Sequence, residues 1–187
     1  MMHSPPCPHP RSLSWLELGA FAFFVQVALI YGASRTAAAG TLLPLALPAA
    51  HLLLLPFLLH NRSFWGIRLI LVGLVLNLAA MTANGGLMPV DRDTAAEVAG
   101  ASVGELESGA PIPGTKSVLV ERGDGHLTVL SDVIILPLPR PARRAVSAGD
   151  VAVASGAVIA LFELGRRNGF IRLDLGGGYR RRFAANR

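Results

Sequence analysis

Four long apolar stretches restrict the architecture of this 187-residue chain more than any other feature. A bilayer core about 30 Å thick needs roughly 20 apolar residues in a helix that rises about 1.5 Å per residue. Backbone polar groups in lipid must be satisfied within the segment, so the stretches are predicted to be helices. The predicted helices cover residues 13–33, 41–60, 64–83 and 147–165, and the last is the weakest because it contains Asp150 and Glu163.

Composition supports a membrane protein and excludes several other classes. Hydrophobic residues make up 52% and charged residues 16% of the chain, whereas a soluble domain carries about 25% charged residues. A disordered chain would need low hydrophobicity and high charge. A single cysteine excludes a disulfide framework, and the five histidines lack the spacing of a zinc protease. We predict no bound metal and no cofactor.

The first apolar stretch is open to two interpretations. Arg11 supplies a thin basic region, and the alanines at 37–39 resemble a signal-peptide cleavage site. The apolar part is about 20 residues long, whereas the apolar core of a signal peptide has about 7–15. The length favours a retained helix, although the sequence leaves cleavage open.

Arginine placement predicts the orientation. The tail, residues 166–187, holds seven arginines and one aspartate, whereas the 84–146 segment holds six basic and eight acidic residues. The positive-inside rule then places both termini in the cytoplasm and the 84–146 segment outside, although Arg143 and Arg144 oppose this assignment. Residues 1–12 are predicted to be a flexible N-terminal stretch.

The basic tail is also predicted to contact anionic lipid headgroups, at about 1 kcal/mol for each arginine near the surface. Nucleic-acid binding would need a folded basic face or aromatic platforms, so it is not predicted. The arginines assigned to headgroup contact are Arg166, Arg167, Arg180, Arg181 and Arg182.

The 84–146 segment is predicted to contain a short helix and a β-hairpin. The sequence from Thr94 to Glu97 fits a capping box that opens a helix ending near Ala101. Residues 117–121 and 126–130 alternate in polarity around an Asp-Gly turn, which favours a hairpin. Residues 132–141 are apolar and rich in proline, and are predicted to lie on the outer membrane surface or cap the helices. The predicted fold class is therefore an all-α membrane protein with four transmembrane helices and this small extracytoplasmic segment.

Three strings of residues carry a family resemblance. They are Asn-Gly-Gly-Leu-Met-Pro-Val at 84–90, Ser-Asp-Val-Ile-Ile-Leu-Pro at 131–137, and Ser-Ala-Gly-Asp-Val at 147–151. Together they resemble the uncharacterised bacterial integral-membrane family called domain of unknown function five-three-one-seven, over roughly residues 13–164. The resemblance implies a multi-pass protein of the bacterial plasma membrane and supplies no catalytic residue.

Polar residues inside the apolar stretches are the functional leads, because each needs a partner or a role in lipid. One hypothesis places His51, Asn77, Asn84 and Asp150 around a polar cavity between the helices. Ordinary hydrogen bonding between helices is favoured for the neutral residues. For Asp150, capping of its own helix after Ser147 is favoured.

A second pair of leads lies near the cytoplasmic helix ends. Glu17 and Arg68 each lie about one turn inside their helices, so an ion pair between them is a candidate. Snorkelling of both side chains to the interface is the alternative.

Small residues predict which helices pack together. Gly66, Gly73 and Asn77 belong to one stripe on the third helix, which also includes Asn84. A second stripe, Ala148–Ala152–Gly156–Ala160, lies on the fourth helix. Close-approach stripes of this kind mark helix contacts in membranes, so the two are predicted partners, with Asn84 near Asp150.

Two functional hypotheses remain from the sequence. The first is a structural or accessory membrane protein that presents an outer surface to membrane lipid or to a membrane-protein partner. The alternative is a small-solute or proton-handling protein, or an enzyme acting on lipid, that uses the polar cavity. The sequence predicts no catalytic residue and leaves enzymatic activity and oligomeric state open.

Overall fold

The computed structural model describes residues 13–33, 37–99, 107–112, 115–121, 123–139, 143–168 and 170. Within these ranges the chain forms six helices and four short strands. The helices are α1 Leu16–Ala33, α2 Ala37–Leu53, α3 Leu55–His60, α4 Trp65–Ala83, α5 Arg92–Ala99 and α6 Ala148–Arg167. The strands are β1 Met88–Asp91, β2 Ser117–Val120, β3 Ile134–Ile135 and β4 Ala145–Val146.

Three helical segments are long and apolar enough to cross a membrane: Thr41–His60 (α2 with α3), Trp65–Ala83 and Ala148–Arg167. The apolar part of α1, Leu16–Gly32, is shorter. Large apolar side chains also cover the outside of these helices, and Phe24, Leu45 and Leu161 are each more than 60% exposed. An exterior this apolar is typical of a protein surrounded by lipid. The four predicted helices therefore form, and three of them qualify as candidate spans.

Glycines allow α4 and α6 to pack closely in antiparallel directions. A Cβ atom on Gly66 would collide with the backbone of Gly156 and Ala160, and one on Gly73 would collide with Gly149. The predicted contact between these two helices is confirmed. The stripe on α6 is only partly as predicted, however: Gly156 and Ala160 are buried, but the third buried position is Gly149 and neither Ala148 nor Ala152 is buried.

Proline shapes the second candidate span. Pro44 and Pro48 lie inside α2, and the helix is interrupted at Leu54 before Pro56. Since proline has no N–H, Pro48 leaves the Pro44 carbonyl without its helical donor. Gly86 lies directly against that carbonyl with a φ of +95°, a site that a Cβ atom would fill. The predicted turn after α4 thus forms and packs on the proline-altered helix.

The predicted β-hairpin is wrong. β2 pairs in parallel with β1, in a register that joins Met88 to Ser117 and Asp91 to Val120. Residues 128–130 form an exposed 3₁₀ turn instead of a strand, preceded by Leu127 at a φ of +53°. The parallel pairing buries most of β1 and β2, whereas the expected second arm is largely exposed.

The short helix of the 84–146 segment begins earlier than predicted. Helix α5 starts at Arg92, directly after β1, and Asp91 accepts hydrogen bonds from the backbone N–H and the hydroxyl of Thr94. Thr94 is therefore a donor to the capping side chain and not the cap. Helix α5 packs against β1 and β2, so it forms the crossover that parallel strands require.

Arg62, Arg68, Arg166 and Arg167 lie at one end of the helices. Glu163 of α6 accepts hydrogen bonds from the backbone N–H groups of Trp65 and Gly66, and so caps the start of α4. Trp15 stacks on His60 with 4.4 Å between ring centroids. Residues from the start of α1 and α4 and from the end of α3 and α6 meet here. The four long segments, α1, α2 with α3, α4 and α6, therefore alternate in direction. The 84–146 segment connects the opposite ends of α4 and α6.

Candidate functional site at the base of the 84–146 segment

Helix α6 begins with the predicted capping box. The Ser147 hydroxyl oxygen accepts from the backbone N–H of Asp150 at 3.0 Å, and Asp150 Oδ2 accepts from the backbone N–H of Ser147 at 3.2 Å. The carboxylate also benefits from its place at the positive end of the helix dipole. The favoured capping role of Asp150 is confirmed.

Asp150 has a second role, because it joins α6 to α4. Asn77 Nδ2 donates to Asp150 Oδ1 at 2.7 Å, and Asn77 Oδ1 accepts from the Ser147 hydroxyl at 2.7 Å. Gly149 permits this approach, since a Cβ atom there would collide with the Asn77 side chain. Asn77 is 3% exposed. The amide is thus satisfied by the residues that start α6.

The chain's single lysine connects this network to the 84–146 segment. Lys116 Nζ donates to both carboxylate oxygens of Asp150, at 2.7 and 2.6 Å. The same ammonium lies 3.7 Å from Asp132 Oδ1. We name the group Asn77, Lys116, Asp132, Ser147 and Asp150 the lysine cluster. It contains two carboxylates for one ammonium and holds the 84–146 segment against α4 and α6.

Asp132 is the most buried charged member, with a side chain 4% exposed. The Ser117 hydroxyl donates to its Oδ2 at 2.8 Å, and its backbone N–H donates to the Pro89 carbonyl. Asp132 Oδ1 accepts no hydrogen bond from any residue that the structure describes. Burial raises the pKa of this carboxyl group, while Lys116 opposes the increase.

The Asp132→Asn variant is expected to change how stability depends on pH. Because the pKa of Asp132 is raised in the folded protein, its contribution to stability falls as pH rises from the ordinary aspartate pKa through the folded value. The melting temperature of the wild type relative to Asp132→Asn should therefore decrease as the pH rises above about 4, the ordinary aspartate pKa. Asp124→Asn, at an exposed turn, is the matched control. A constant difference between wild type and Asp132→Asn would contradict the prediction.

A cavity of about 250 Å³ adjoins the lysine cluster. Lys116, Ser117 and Asp132 line one part of it, and Arg144 contributes to its polar rim. The other walls are mainly apolar side chains from α1, β1, α5 and the stretch before β2, namely Ile30, Val90, Ala95, Val98 and Ile112. The cavity therefore has polar groups on one side and apolar walls elsewhere, and it lies beside the ends of the helices.

The four residues of the predicted polar cavity are only partly brought together. Asn77 and Asp150 share a hydrogen bond, but they do not line the cavity beside Lys116. His51 is buried in α2, where its Nδ1 lies 2.9 Å from the Leu47 carbonyl. Asn84 ends α4 and exchanges hydrogen bonds with the backbone of His126. The expected placement of Asn84 beside Asp150 is wrong, since Asn77 occupies that position.

The structure does not bring Glu17 and Arg68 together. Arg68 donates to the Arg62 carbonyl and its guanidinium lies 4.5 Å from the centre of the Trp65 ring. Glu17 is exposed on α1, a helix that packs mainly on α2 and α3. The candidate ion pair is therefore not formed, and Arg68 contacts Arg62 and Trp65 instead.

The arginines assigned to lipid headgroups fall partly within the described chain. Arg166 and Arg167 are in the last turn of α6, where Arg167 lies over the Phe64 ring and donates to the Ser63 carbonyl. Arg180, Arg181 and Arg182 lie outside the described residues. Within the described ranges, no group of three or more histidine, cysteine or acidic side chains is arranged to hold a metal.

Comparison with known proteins adds one assignment. The match to the family of unknown function DUF5317 covers residues 11–162. The chain belongs to this family. Searches of curated proteins and of solved structures find no match. The DUF5317 region contains the whole lysine cluster, whereas Arg166, Arg167 and the basic tail lie beyond it.

Two members of the lysine cluster, Lys116 and Asp132, were assigned no role from the sequence. Lys116 had one sequence signal, because it is the only lysine beside sixteen arginines. Lysine is a compact charge and arginine a planar fork, so this exception is consistent with a confined ion pair. Asp132 lies in the string that carries the family resemblance, but its burial follows from the β1–β2 pairing.

Proposed function

We propose that this DUF5317 protein is a multi-pass membrane protein of accessory type, with four transmembrane helices, both termini in the cytoplasm and the 84–146 segment outside. The concentration of arginines at the end formed by Arg62, Arg68, Arg166 and Arg167 supports this orientation under the positive-inside rule. The bacterial plasma membrane is the proposed location. Exposed apolar side chains along the helices support the crossing by α1 as well.

An apolar strip on the 84–146 segment carries the accessory role. It consists of Leu127, Val129, Val133, Ile134 and Leu138, each more than 40% exposed, and Val129 is 82% exposed. The 3₁₀ turn at 128–130 contacts α4 and α6, so this part of the strip lies beside that helix pair. Exposed apolar side chains grouped in one segment are typical of a protein or membrane interaction site. We propose that it faces outer-leaflet lipid or a membrane-protein partner.

Site-specific photocrosslinking in native membranes tests this proposal. A benzophenone side chain at Val129 is expected to yield phospholipid or protein adducts that mass spectrometry identifies. The matched position is Asp124, which is also exposed in the same segment but lies outside the strip. Equal adduct yields at the two positions would contradict the proposal.

The alternative, a solute- or proton-handling protein or a lipid-acting enzyme, is favoured by one observation. Asn77 donates a hydrogen bond to Asp150, Asp150 accepts from Lys116, and a cavity opens beside that lysine. Asn77 and Asp150 form their hydrogen bonds with neighbouring side chains, which supports a structural role for these two residues in joining α4, α6 and the 84–146 segment. The cavity itself supports ligand binding more than proton transfer through the helices.

A further inference from the structure

The cavity beside the lysine cluster combines apolar walls with one polar corner. Ile30, Val90, Val98 and Ile112 form walls that suit a hydrocarbon chain. Its volume of about 250 Å³ equals roughly eight water molecules at liquid density, so it suits a ligand of similar heavy-atom number. Ligand sites in proteins generally have this character, an apolar pocket with a few placed polar groups.

The polar corner contains an acceptor without a donor. Asp132 is 3% exposed and lines the cavity, yet its Oδ1 accepts no hydrogen bond from the described residues. Lys116 Nζ lies 3.7 Å from this oxygen and donates its hydrogen bonds to both oxygens of Asp150. Unsatisfied buried polar atoms are rare in folded proteins, and each one calls for an explanation.

The charges at this corner indicate the type of donor. Lys116 faces two carboxylates, so the lysine cluster retains one negative charge in excess when both are ionised. Arg144, at the rim, donates to the Arg143 carbonyl and has further interactions of its own. A ligand anion would meet Asp132 unfavourably, whereas a protonated amine would donate the hydrogen bond that Oδ1 lacks and offset the excess negative charge that Lys116 leaves.

We propose that the cavity binds a short-chain primary amine, with its ammonium group on Asp132 Oδ1 and its alkyl chain along the apolar walls. The proposal rests on the cavity and on Asp132, and is independent of the apolar strip and its partner. Amines of about six carbons fit the volume, and longer chains would extend beyond it.

Isothermal titration of the full-length protein in nanodiscs with hexylamine tests the proposal. We expect saturable binding, at least tenfold weaker for hexanol and hexanoate, which lack the ammonium group. Asp132→Asn should weaken hexylamine binding at least tenfold, whereas Asp124→Asn, an identical change at an exposed turn, should leave it unchanged. Heat equal to that of empty nanodiscs would mean membrane partitioning only and would overturn the proposal.

A second variant keeps the test decisive if Asp132→Asn does not fold. Val98→Phe narrows the apolar chamber from a partly exposed position without altering any charge. It should abolish hexylamine binding and retain butylamine binding in weakened form. Unchanged affinity for hexylamine in Val98→Phe, or equal affinity of the wild type for hexanoate and hexylamine, would contradict the proposed site.

Discussion

Lys116→Met is expected to lower the free energy of unfolding by about 3 kcal/mol, because it leaves two largely buried carboxylates without their shared cation. The side chain of Lys116 is 18% exposed, and those of Asp132 and Asp150 are 4% and 29% exposed. Removal of one partner from such a group is more destabilising than its net contribution, since the remaining charges stay desolvated. Unfolding in mixed detergent micelles, followed by circular dichroism, measures the effect.

An exposed ion pair in the same segment provides the control for Lys116→Met. Glu121 accepts from Arg92 at 2.7 Å, but its side chain is 46% exposed. Glu121→Gln should therefore change stability by less than about 1 kcal/mol. Similar losses of stability in Lys116→Met and Glu121→Gln would show that the lysine cluster is not the main interaction that holds the 84–146 segment to the helices.

The double variant Lys116→Met with Asp150→Asn separates ion pairing from loss of side-chain packing. Asparagine retains an oxygen for the backbone N–H of Ser147 and no longer needs a cation. The double variant should thus be more stable than the sum of the two single losses predicts. Additive losses would contradict a direct coupling between the two side chains.

Gly66→Ala is expected to have the second large effect. Its methyl group would overlap the backbone of Ala160 and the carbonyl oxygen of Gly156, so α4 and α6 would have to separate. Overpacking of this kind destabilises by about 1–3 kcal/mol, and we expect a value near the upper limit because backbone atoms cannot rotate away. The same unfolding measurement applies.

Gly32→Ala is the matched control, because it makes the identical change where the described part of the chain places no packing neighbour within 4 Å. Alanine is the better helix former, so this variant should be neutral or stabilised by up to about 1 kcal/mol. Equal destabilisation of Gly66→Ala and Gly32→Ala would mean that the α4–α6 contact does not depend on close backbone approach.

Local features of this fold were predictable, because they depend on neighbouring residues. Apolar length located the long helices to within a few residues, and the Ser147–Asp150 spacing predicted the capping box. The contact between α4 and α6 also followed from their small residues. The rotation of α6 about its own axis was not predictable, because the buried residue at the start of this helix is Gly149, one position after the predicted Ala148.

Non-local features escaped prediction for a physical reason. Residues 117–120 favour a strand, but their partner is β1, reached through α5, and local turn propensity at Asp124-Gly125 pointed to the wrong neighbour. The same distance in sequence concealed the lysine cluster, because Lys116 precedes Asp150 by 34 positions. Asn84 and Asn77 lie on the same face of the chain's third long helix, about 10 Å apart along its axis, and only packing decides which meets Asp150.

Cysteine labelling with a membrane-impermeant maleimide tests the central claim, that the chain crosses the bilayer an even number of times with the 84–146 segment outside. In a Cys7→Ser background, Gly123→Cys should react in intact spheroplasts, whereas Asn186→Cys should react only after permeabilisation. The native Cys7 in the wild-type chain should behave like the C-terminal position. Labelling of positions 7 and 186 from opposite faces, or a lack of reaction at position 123 before permeabilisation, would contradict the account.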